Sequence, residues 1–324
     1  MIDATELAAA AGQVAALRAE MAKVLVGRDV FTDRLLIGLL CRGHVLIEGV
    51  PGLAKTLAVS TLARALRAEF RRVQFTPDLL PADICGTEIY QPATGTFAVR
   101  RGPVFANILL ADEINRAPSK VQSALLEAMA EGRVTIGGET FALPQPFMVL
   151  ATQNPIEQEG TYPLPEAQVD RFLLHLAVAY PTPDEEAEIV RRACLAREPE
   201  VAVVLDGGQV LALADLAGRV HLDARLLDYI VALVGTTRDP GGAGLAPLAG
   251  KVAYGASPRA AIALARTAKA LALLSGRGYA TPDDVKAMAP DVLRHRVLLT
   301  YEAQAEGLTP DAVVAAILGA VAVP

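Results

Sequence analysis

The 324-residue sequence predicts an α/β fold with a mostly parallel sheet, followed by a smaller domain made of helices. Three observations predict it. Short apolar runs alternate with helical patterns over residues 1–180, a glycine-containing turn follows the first such run, and helical periodicity takes over after residue 183. We therefore expect one domain over residues 1–180 and a second over residues 181–324.

The first forty residues predict two helices, and a strand follows them. One helical run precedes Gly27, and a second covers residues 29–40 after it. Residues 44–48 form a short apolar run that enters the turn Gly49-Val50-Pro51-Gly52, and a helix is predicted from Lys55. A strand, a glycine-containing turn and a helix in this order open a βαβ unit.

The remaining elements are predicted from hydrophobic periodicity and from the positions of turn residues. Residues 86–101 and 133–143 alternate in short segments around glycine, which predicts two β-hairpins inserted into the α/β core. The other predicted strands are 72–75, 107–111 and 147–152, with a helix at 119–131 between the last two. From residue 184 onward nearly everything reads as helix. The helices predicted there are 184–196, 211–218, 224–234, 258–274, 282–293 and 310–321.

Composition excludes several classes of protein. The net charge of −6 argues against broad binding to nucleic acid, whose partners are usually basic. A membrane span needs roughly 18 uninterrupted apolar residues, and the sequence has no such run. The N-terminus lacks the pattern of a signal peptide. We therefore expect a cytoplasmic protein without nucleic acid as a partner. The three cysteines and four histidines are too scattered to predict a disulfide framework or a metal site.

The turn after the first strand carries a phosphate-binding pattern. Gly49-Val-Pro-Gly-Leu-Ala-Lys-Thr56 fits the P-loop except at Ala54, where glycine is usual, and we expect alanine to be tolerated there if its φ is negative. Successive backbone N–H groups and the helix N-terminus would face phosphates. Lys55 would reach the β- and γ-phosphates of ATP, and the Thr56 hydroxyl would bind Mg²⁺. The candidate binding residues here are Gly49, Pro51, Gly52, Leu53, Ala54, Lys55, Thr56 and Leu57.

Two later strands also end in polar groups. Residues 107–111 lead into Asp112-Glu113, and residues 147–152 lead to Asn154. Parallel strands place their carboxyl ends at one edge of a sheet, so these side chains are expected beside the P-loop. Asp112 would hold Mg²⁺ through water, Glu113 would deprotonate the attacking water, and Asn154 would bond the γ-phosphate or that water.

Two arginines outside the loop are candidates for a functional role. Arg171 follows a proline-rich segment and a charged cluster, and an arginine brought to a neighbouring subunit can stabilise the transferring phosphoryl group. Arg259 lies in the first turn of a predicted helix, where the helix dipole disfavours a cation. Taken singly, each arginine is also an ordinary candidate for a salt bridge.

The motifs together resemble those of the MoxR family of AAA+ ATPases. The resemblance covers roughly residues 20–300 and includes Ala54, which is usual in that family. Its segments are Gly49–Thr56, Ala111-Asp-Glu-Ile-Asn-Arg-Ala117, Ala151-Thr-Gln-Asn-Pro155, Gly160-Thr-Tyr-Pro-Leu-Pro-Glu166, and Gly255-Ala-Ser-Pro-Arg259 with His295-Arg296. It implies a P-loop AAA+ αβα sandwich followed by a helical lid.

The resemblance also implies roles for single residues and partners. Asn154 matches the first sensor, Arg171 the arginine finger and Arg259 the second sensor, while Val26-Gly27 resembles the segment that packs near adenine. Arg116 is a weaker candidate for a contact across subunits. The family implies ATP and Mg²⁺ as cofactors, a hexameric ring, and chaperone-like maturation of client proteins, often with a von Willebrand factor A domain.

Two other functions stay open at this point. One is a nucleotide-gated assembly scaffold that seldom hydrolyses ATP, although Glu113 and Arg171 would then have no purpose. The other is a chelatase-type motor subunit, which shares the hairpin insertions. The hairpins themselves are equally well explained as transmitters of the nucleotide state to a partner or as passive packing between subunits.

Overall fold

The computed structural model describes residues 2–50, 52–154, 161–194 and 199–324. By its internal contacts the chain divides into two compact units. The larger unit comprises Gln13–Phe172 and Leu176–Ala212, and the smaller comprises Met1–Gly12, Leu173–His175 and Leu213–Pro324. The domain boundary between residues 180 and 181 stays a prediction, since it divides the chain by composition rather than by contacts.

The secondary structure alternates helices and strands before residue 180 and is mostly helical after it. In chain order the helices are α1 (Ala4–Val24), α2 (Asp29–Leu40), α3 (Lys55–Ala65), α4 (Pro81–Cys85), α5 (Ser119–Glu131), α6 (Glu166–Val169), α7 (Pro183–Ala193), α8 (Gly207–Arg219), α9 (Ala224–Arg238), α10 (Pro258–Leu274), α11 (Pro282–Leu293), α12 (Tyr301–Ala305) and α13 (Pro310–Ala320). The strands are β1 (Val45–Glu48), β2 (Phe70–Gln74), β3 (Gly86–Gln91), β4 (Thr96–Arg101), β5 (Ile108–Asp112), β6 (Arg133–Ile136), β7 (Glu139–Ala142), β8 (Met148–Gln153), β9 (Leu174–Ala177), β10 (Val252–Tyr254) and β11 (Leu298–Leu299).

The main sheet has five strands in the order β2-β5-β8-β1-β9. The pairs β2–β5, β5–β8 and β8–β1 are all parallel. Strands β1, β5 and β8 are buried along nearly their whole length. Helices cover such strands, which explains why they read as continuous apolar runs rather than as alternating ones. The predicted α/β fold with a parallel sheet and a helical lid is confirmed.

The two predicted hairpins are present. β3 pairs with β4 and β6 pairs with β7, both antiparallel. The β6–β7 hairpin packs Val134 and Ile136 into the core beside the sheet. The β3–β4 hairpin instead exposes the rings of Tyr90 and Phe97, whose centroids are 5.3 Å apart. One hairpin is therefore anchored by burial, while the other presents an aromatic pair to the surroundings.

The C-terminal half is less uniformly helical than the sequence predicts. The two-stranded ladder β10–β11 was missed, because strands of two and three residues are too short to show a period. The predicted helices at 258–274 and 282–293 have the observed bounds, with Thr281 as the N-cap of α11. Residues 195 and 196 of the predicted helix at 184–196 lie outside the described residues. Nowhere in the described ranges does a helix combine the length and apolarity needed to cross a membrane.

Candidate functional site

The phosphate loop leaves the carboxyl end of β1 and enters α3 through a residue whose backbone has the left-handed conformation. Ala54 is the N-cap of α3, with φ 57° and ψ 20°. The negative φ that was the condition for tolerating alanine here is therefore not met. The chain must turn sharply there so that successive N–H groups face one side, and the left-handed conformation provides that turn. A side chain in this region costs about 1 kcal/mol, which glycine would avoid.

Lys55 opens α3 with its ammonium turned back towards the loop. Its Nζ donates a hydrogen bond to the carbonyl oxygen of Gly49. Partial burial lowers the pKa of Lys55, and the carboxylates of Asp112 and Glu113 oppose that shift. The ammonium of Lys55 therefore interacts electrostatically with both predicted carboxylates, although Asp112 and Glu113 lie 57 and 58 residues after it in the sequence.

Asp112 ends β5 with both carboxylate oxygens engaged. Its Oδ1 accepts a hydrogen bond from Thr152 Oγ1 at 2.5 Å. Its Oδ2 accepts two bonds from Arg72, at 3.1 Å from Nε and 2.6 Å from Nη2. Thr152 belongs to β8 and Arg72 to β2, so the two strands that flank β5 in the sheet both hold this carboxylate.

Glu113 follows Asp112 directly, and its backbone also has the left-handed conformation, with φ 55° and ψ 51°. Its backbone N–H donates to Thr152 Oγ1 at 2.9 Å. Its Oε2 accepts from Gln74 Nε2 at 2.7 Å and from Arg116 Nη1 at 3.1 Å. The side chain of the predicted base therefore has a fixed direction, and Arg116, a weak candidate for a contact across subunits, pairs within its own chain.

A cavity of about 420 Å³ brings the phosphate-loop residues, the two carboxylates and Asn154 together, and thus two of the four predicted catalytic residues. Lys55 and Thr56 lie on one wall, and Asp112, Glu113 and Asn154 line the same space. Three further residues of this cavity were not identified from the sequence as functional. They are Arg72, Gln74 and Thr152. Thr152 was visible as a polar residue near a strand end, but the other two required knowledge that β2 pairs with β5.

Gln122 of α5 fixes the segments beside the carboxylates. It is fully buried, and its two Nε2–H groups are shared among the carbonyl oxygens of Ile114, Ala117 and Tyr162, at 3.2, 3.1 and 2.9 Å. The first two lie just after Glu113, and Tyr162 precedes α6. One amide thus joins the loop after β5 to the segment that leads towards Arg171.

A second cavity of about 270 Å³ adjoins the loop and is mainly apolar. Val26, Leu53, Leu57 and Ile189 are among its lining residues, together with Ala54. The cavity is therefore shared between the phosphate loop, the end of the first helical segment and α7. An apolar cavity beside a phosphate loop suits the flat face of a purine base.

Gly27 lies next to Val26, in a conformation with φ 62°. A Cβ added at this position would overlap the carboxylate of Glu185, which accepts the N–H of Thr182 at 2.8 Å as part of the α7 capping box. The backbone conformation therefore favours glycine, and a Cβ here would also displace the Glu185 carboxylate from its capping position. Arg192, also on α7, donates to the carbonyl oxygens of Ala22 and Lys23 at 2.9 Å each, which closes the cavity from the other side.

The two arginines predicted to act with ATP lie in different settings. Arg171 Nη1 donates to the carbonyl oxygen of Leu126 at 2.8 Å, on α5 of the larger unit. Arg259 lies in the first turn of α10 in the smaller unit, where its N–H bonds the N-cap Ser257 at 3.2 Å. Neither is among the residues described as lining the two cavities.

The residues fit the groups that the motifs imply. Mg²⁺ prefers oxygen ligands, and the Thr56 hydroxyl and the Asp112 carboxylate line one cavity. Of the predicted binding residues, Gly52–Leu57 line that cavity as well, while Gly49 precedes them and Pro51 lies outside the described residues. Val26 lines the adjoining apolar cavity.

Comparisons with known proteins place the chain among ATPases. The profile of the ATPase family associated with various cellular activities (AAA) matches residues 44–174, and that of the AAA lid domain matches residues 249–317. Chaperone MoxR1 of Mycobacterium tuberculosis is 52% identical over 94% of this chain and 81% of that protein. Uncharacterized protein YeaC of Bacillus subtilis is 46% identical over 93% of this chain and 92% of that protein.

A solved structure agrees with the fold. It is the crystal structure of a protein from Cytophaga hutchinsonii, provisionally assigned as an ATPase, and its TM-score is 0.93 at 48% identity. The match covers 98% of this chain and 97% of the other.

Proposed function

The chain belongs to the MoxR family of AAA+ ATPases, and from that membership we propose that it binds ATP with Mg²⁺ and hydrolyses the nucleotide. The observation that supports hydrolysis best is the cavity that holds Glu113 together with Lys55 and Asn154. A protein that only binds ATP needs the lysine, but it has no need of a directed carboxylate base beside it.

In this proposal each residue of the site has its own role. Lys55 and the loop N–H groups hold the phosphates, and Glu113 takes the proton of the attacking water. Asn154 orients that water without adding charge. Thr56 and Asp112 hold Mg²⁺, which when bound neutralises charge on the phosphates. The purine lies in the apolar cavity beside Val26 and Gly27, in contact with Leu53 and Leu57.

The proposal includes a ring of subunits, as AAA+ proteins generally oligomerise. Arg171 contacts a neighbour's nucleotide as an arginine finger, and Arg259 acts from the lid as a sensor of nucleotide. In this role Arg171 would exchange its bond with the Leu126 carbonyl for the γ-phosphate of the adjacent subunit. A hexamer is the assembly that the family resemblance favours, and a cytoplasmic location stays a prediction.

The ring acts as a chaperone-like remodelling factor on client proteins. The support is family membership and the name of the chaperone relative rather than any single residue. A client with a von Willebrand factor A domain is the specific expectation. Capture of a co-encoded protein of that kind by the Glu113→Gln variant with ATP, but not with ADP, would support it. A co-encoded chelatase partner captured in its place would favour the motor subunit.

Steady-state ATP turnover against protein concentration tests the ATPase. We expect turnover per subunit to rise with concentration, to require Mg²⁺, and to fall at least 100-fold in Glu113→Gln and Arg171→Ala, both of which still bind ATP. The matched control is Arg225→Ala, which removes an exposed arginine that pairs with Asp223 on the surface. Turnover that is indifferent to both site changes would favour the assembly scaffold.

A further inference from the structure

Arg72 occupies a position in the candidate site that the proposed function does not explain. It lies on β2 at the edge of the sheet, and its guanidinium binds Oδ2 of Asp112 through both Nε and Nη2. The Asp112 side chain is 15% exposed and that of Arg72 is 50% exposed. The pair therefore lies at the mouth of the phosphate cavity, with the carboxylate inside and the cation reaching in from the edge strand.

The hydrogen bonds at Asp112 leave little capacity for another partner. A carboxylate offers about four acceptor positions. Arg72 uses two on Oδ2, and the Thr152 hydroxyl uses one on Oδ1 at 2.5 Å. A hydrated Mg²⁺ ion needs the same oxygens to accept hydrogen bonds from its water shell. Its double charge would also be repelled by a guanidinium a few ångströms away.

We propose that Arg72 is a tethered counter-ion of Asp112 that Mg²⁺ must displace, so that metal loading of the nucleotide site is coupled to release of the Arg72 side chain. The inference rests on the proposed function only in that Mg²⁺ uses Asp112. An ion pair with a half-exposed arginine is weak enough to be broken by a divalent ion. The released side chain remains on the edge strand and carries its positive charge out of the cavity.

The neighbouring arginine provides an internal contrast. Successive side chains of a strand point to opposite faces, so Arg71 and Arg72 diverge. Arg71 pairs at 2.8 Å with Glu69 on its own strand segment, and both of these side chains are well exposed. Arg71→Gln therefore removes the same charge from the same strand without touching Asp112, and it serves as the matched control.

Binding of a fluorescent ADP analogue to the full chain, with Mg²⁺ titrated, tests the inference without hydrolysis. In Arg72→Gln we expect the Mg²⁺ concentration at the midpoint to fall about fivefold, the scale of an ion pair of this exposure. Affinity for the analogue at saturating Mg²⁺ should stay within about twofold of wild type, because the arginine has already left. Arg71→Gln should leave the midpoint unchanged.

A double variant separates competition from a general change in charge. In the Asp112→Asn background, Arg72→Gln should no longer shift the midpoint, because the two side chains act through one contact. An unchanged midpoint in Arg72→Gln alone would overturn the inference. So would weaker binding of the analogue at saturating Mg²⁺, since Arg72 would then contact phosphate rather than compete with the metal. If wild type itself shows no Mg²⁺-dependent binding, the proposed function fails instead.

Discussion

The loops that follow β1 and β5 use the same unusual backbone conformation for different purposes. Ala54 has φ 57° and Glu113 has φ 55°, and neither residue is glycine. At Ala54 the side chain is a methyl group, and only the direction of the backbone matters. At Glu113 the side chain is a carboxylate bound by Gln74 and Arg116. The left-handed turn therefore directs N–H groups in one loop and the side chain of the proposed base in the other.

The two loops accordingly differ in what can replace the strained residue. Glycine would relieve the strain at either position. In the phosphate loop it would preserve every group proposed to bind phosphate, whereas after β5 it would delete the proposed base. Strain at a candidate site is thus informative only when the side chain is considered with the backbone. Four predictions test this contrast, in order of decreasing effect.

Thr152→Val should have the largest effect, because it breaks the contacts that hold the loop after β5. The hydroxyl bonds both Asp112 and the N–H of Glu113, and valine keeps the shape without the oxygen. We expect ATP turnover to fall about 10- to 100-fold, the usual loss when a supporting partner of a catalytic ligand is removed. Thr135→Val, at an exposed threonine of the β6–β7 hairpin, is the control. Turnover within twofold of wild type in Thr152→Val would contradict the role.

Gly27→Ala tests a third left-handed position, one where glycine is present. The alanine would be strained at φ 62° and would also overlap Glu185. We expect a loss of about 2–3 kcal/mol in the free energy of unfolding, with weaker binding of ATP. Gly95→Ala is the control, because Gly95 has φ 67° but open space around its Cβ position. Equal losses in the two variants, measured by denaturant unfolding, would show that contact with Glu185 is unimportant.

His44 anchors β8, the strand that carries Thr152. Its Nδ1 accepts the N–H of Val149 and its Nε2 lies 3.0 Å from the carbonyl oxygen of Met129, which fixes the neutral tautomer with hydrogen on Nε2. Burial lowers the pKa of His44 to about 4. The unfolded chain, with a pKa near 6.5, binds the proton first as pH falls, so stability is lost between about pH 6.5 and pH 4.

The size of this effect can be measured directly. Between pH 7 and pH 5 the contribution of His44 to the free energy of unfolding should fall by about 2 kcal/mol. Denaturant unfolding of His44→Gln at both values provides the comparison, since an amide can replace both bonds without titrating. A pH dependence equal to that of wild type would assign the loss to other groups.

Ala54→Gly should have the smallest effect and the opposite sign. Relief of the left-handed alanine exceeds the extra entropy of glycine in the unfolded chain, so we expect a gain of about 0.5–1 kcal/mol in stability. Turnover should stay within about twofold of wild type. Glu113→Gly should lose turnover entirely and gain less stability, because its carboxylate also binds Gln74 and Arg116. If Ala54→Gly abolished turnover as well, the contrast between the two loops would be wrong.

The sequence predicts the elements best where one signal is strong. α5, α10 and α11 have the predicted bounds because proline, serine or threonine marks their starts, and both hairpins were predicted from their glycine turns. Strand ends gave the positions of Asp112, Glu113 and Asn154 beside the phosphate loop. These inferences needed only the rule that parallel strands end at one edge of a sheet.

Other features depended on information that the sequence does not carry locally. Arg72 and Gln74 contact the carboxylates because β2 is the neighbour of β5, and strand order cannot be obtained from periodicity. The positive φ of Ala54 could not be predicted either, because the residue type argues for the opposite sign. The ladder β10–β11 could not be predicted, because its strands are too short to show a period.

Gln122 has a consequence for how variants of this protein would behave in a cell. The residue touches no proposed substrate, yet its buried amide bonds carbonyl groups of two loops, which are also joined by a backbone bond from Tyr162 to Asn115. An apolar replacement would leave those groups unsatisfied inside the protein, at roughly 1–3 kcal/mol each. Such a variant would reduce the amount of folded protein that survives proteolysis. A genetic screen would then score Gln122 as essential, although the surviving molecules would retain their chemistry.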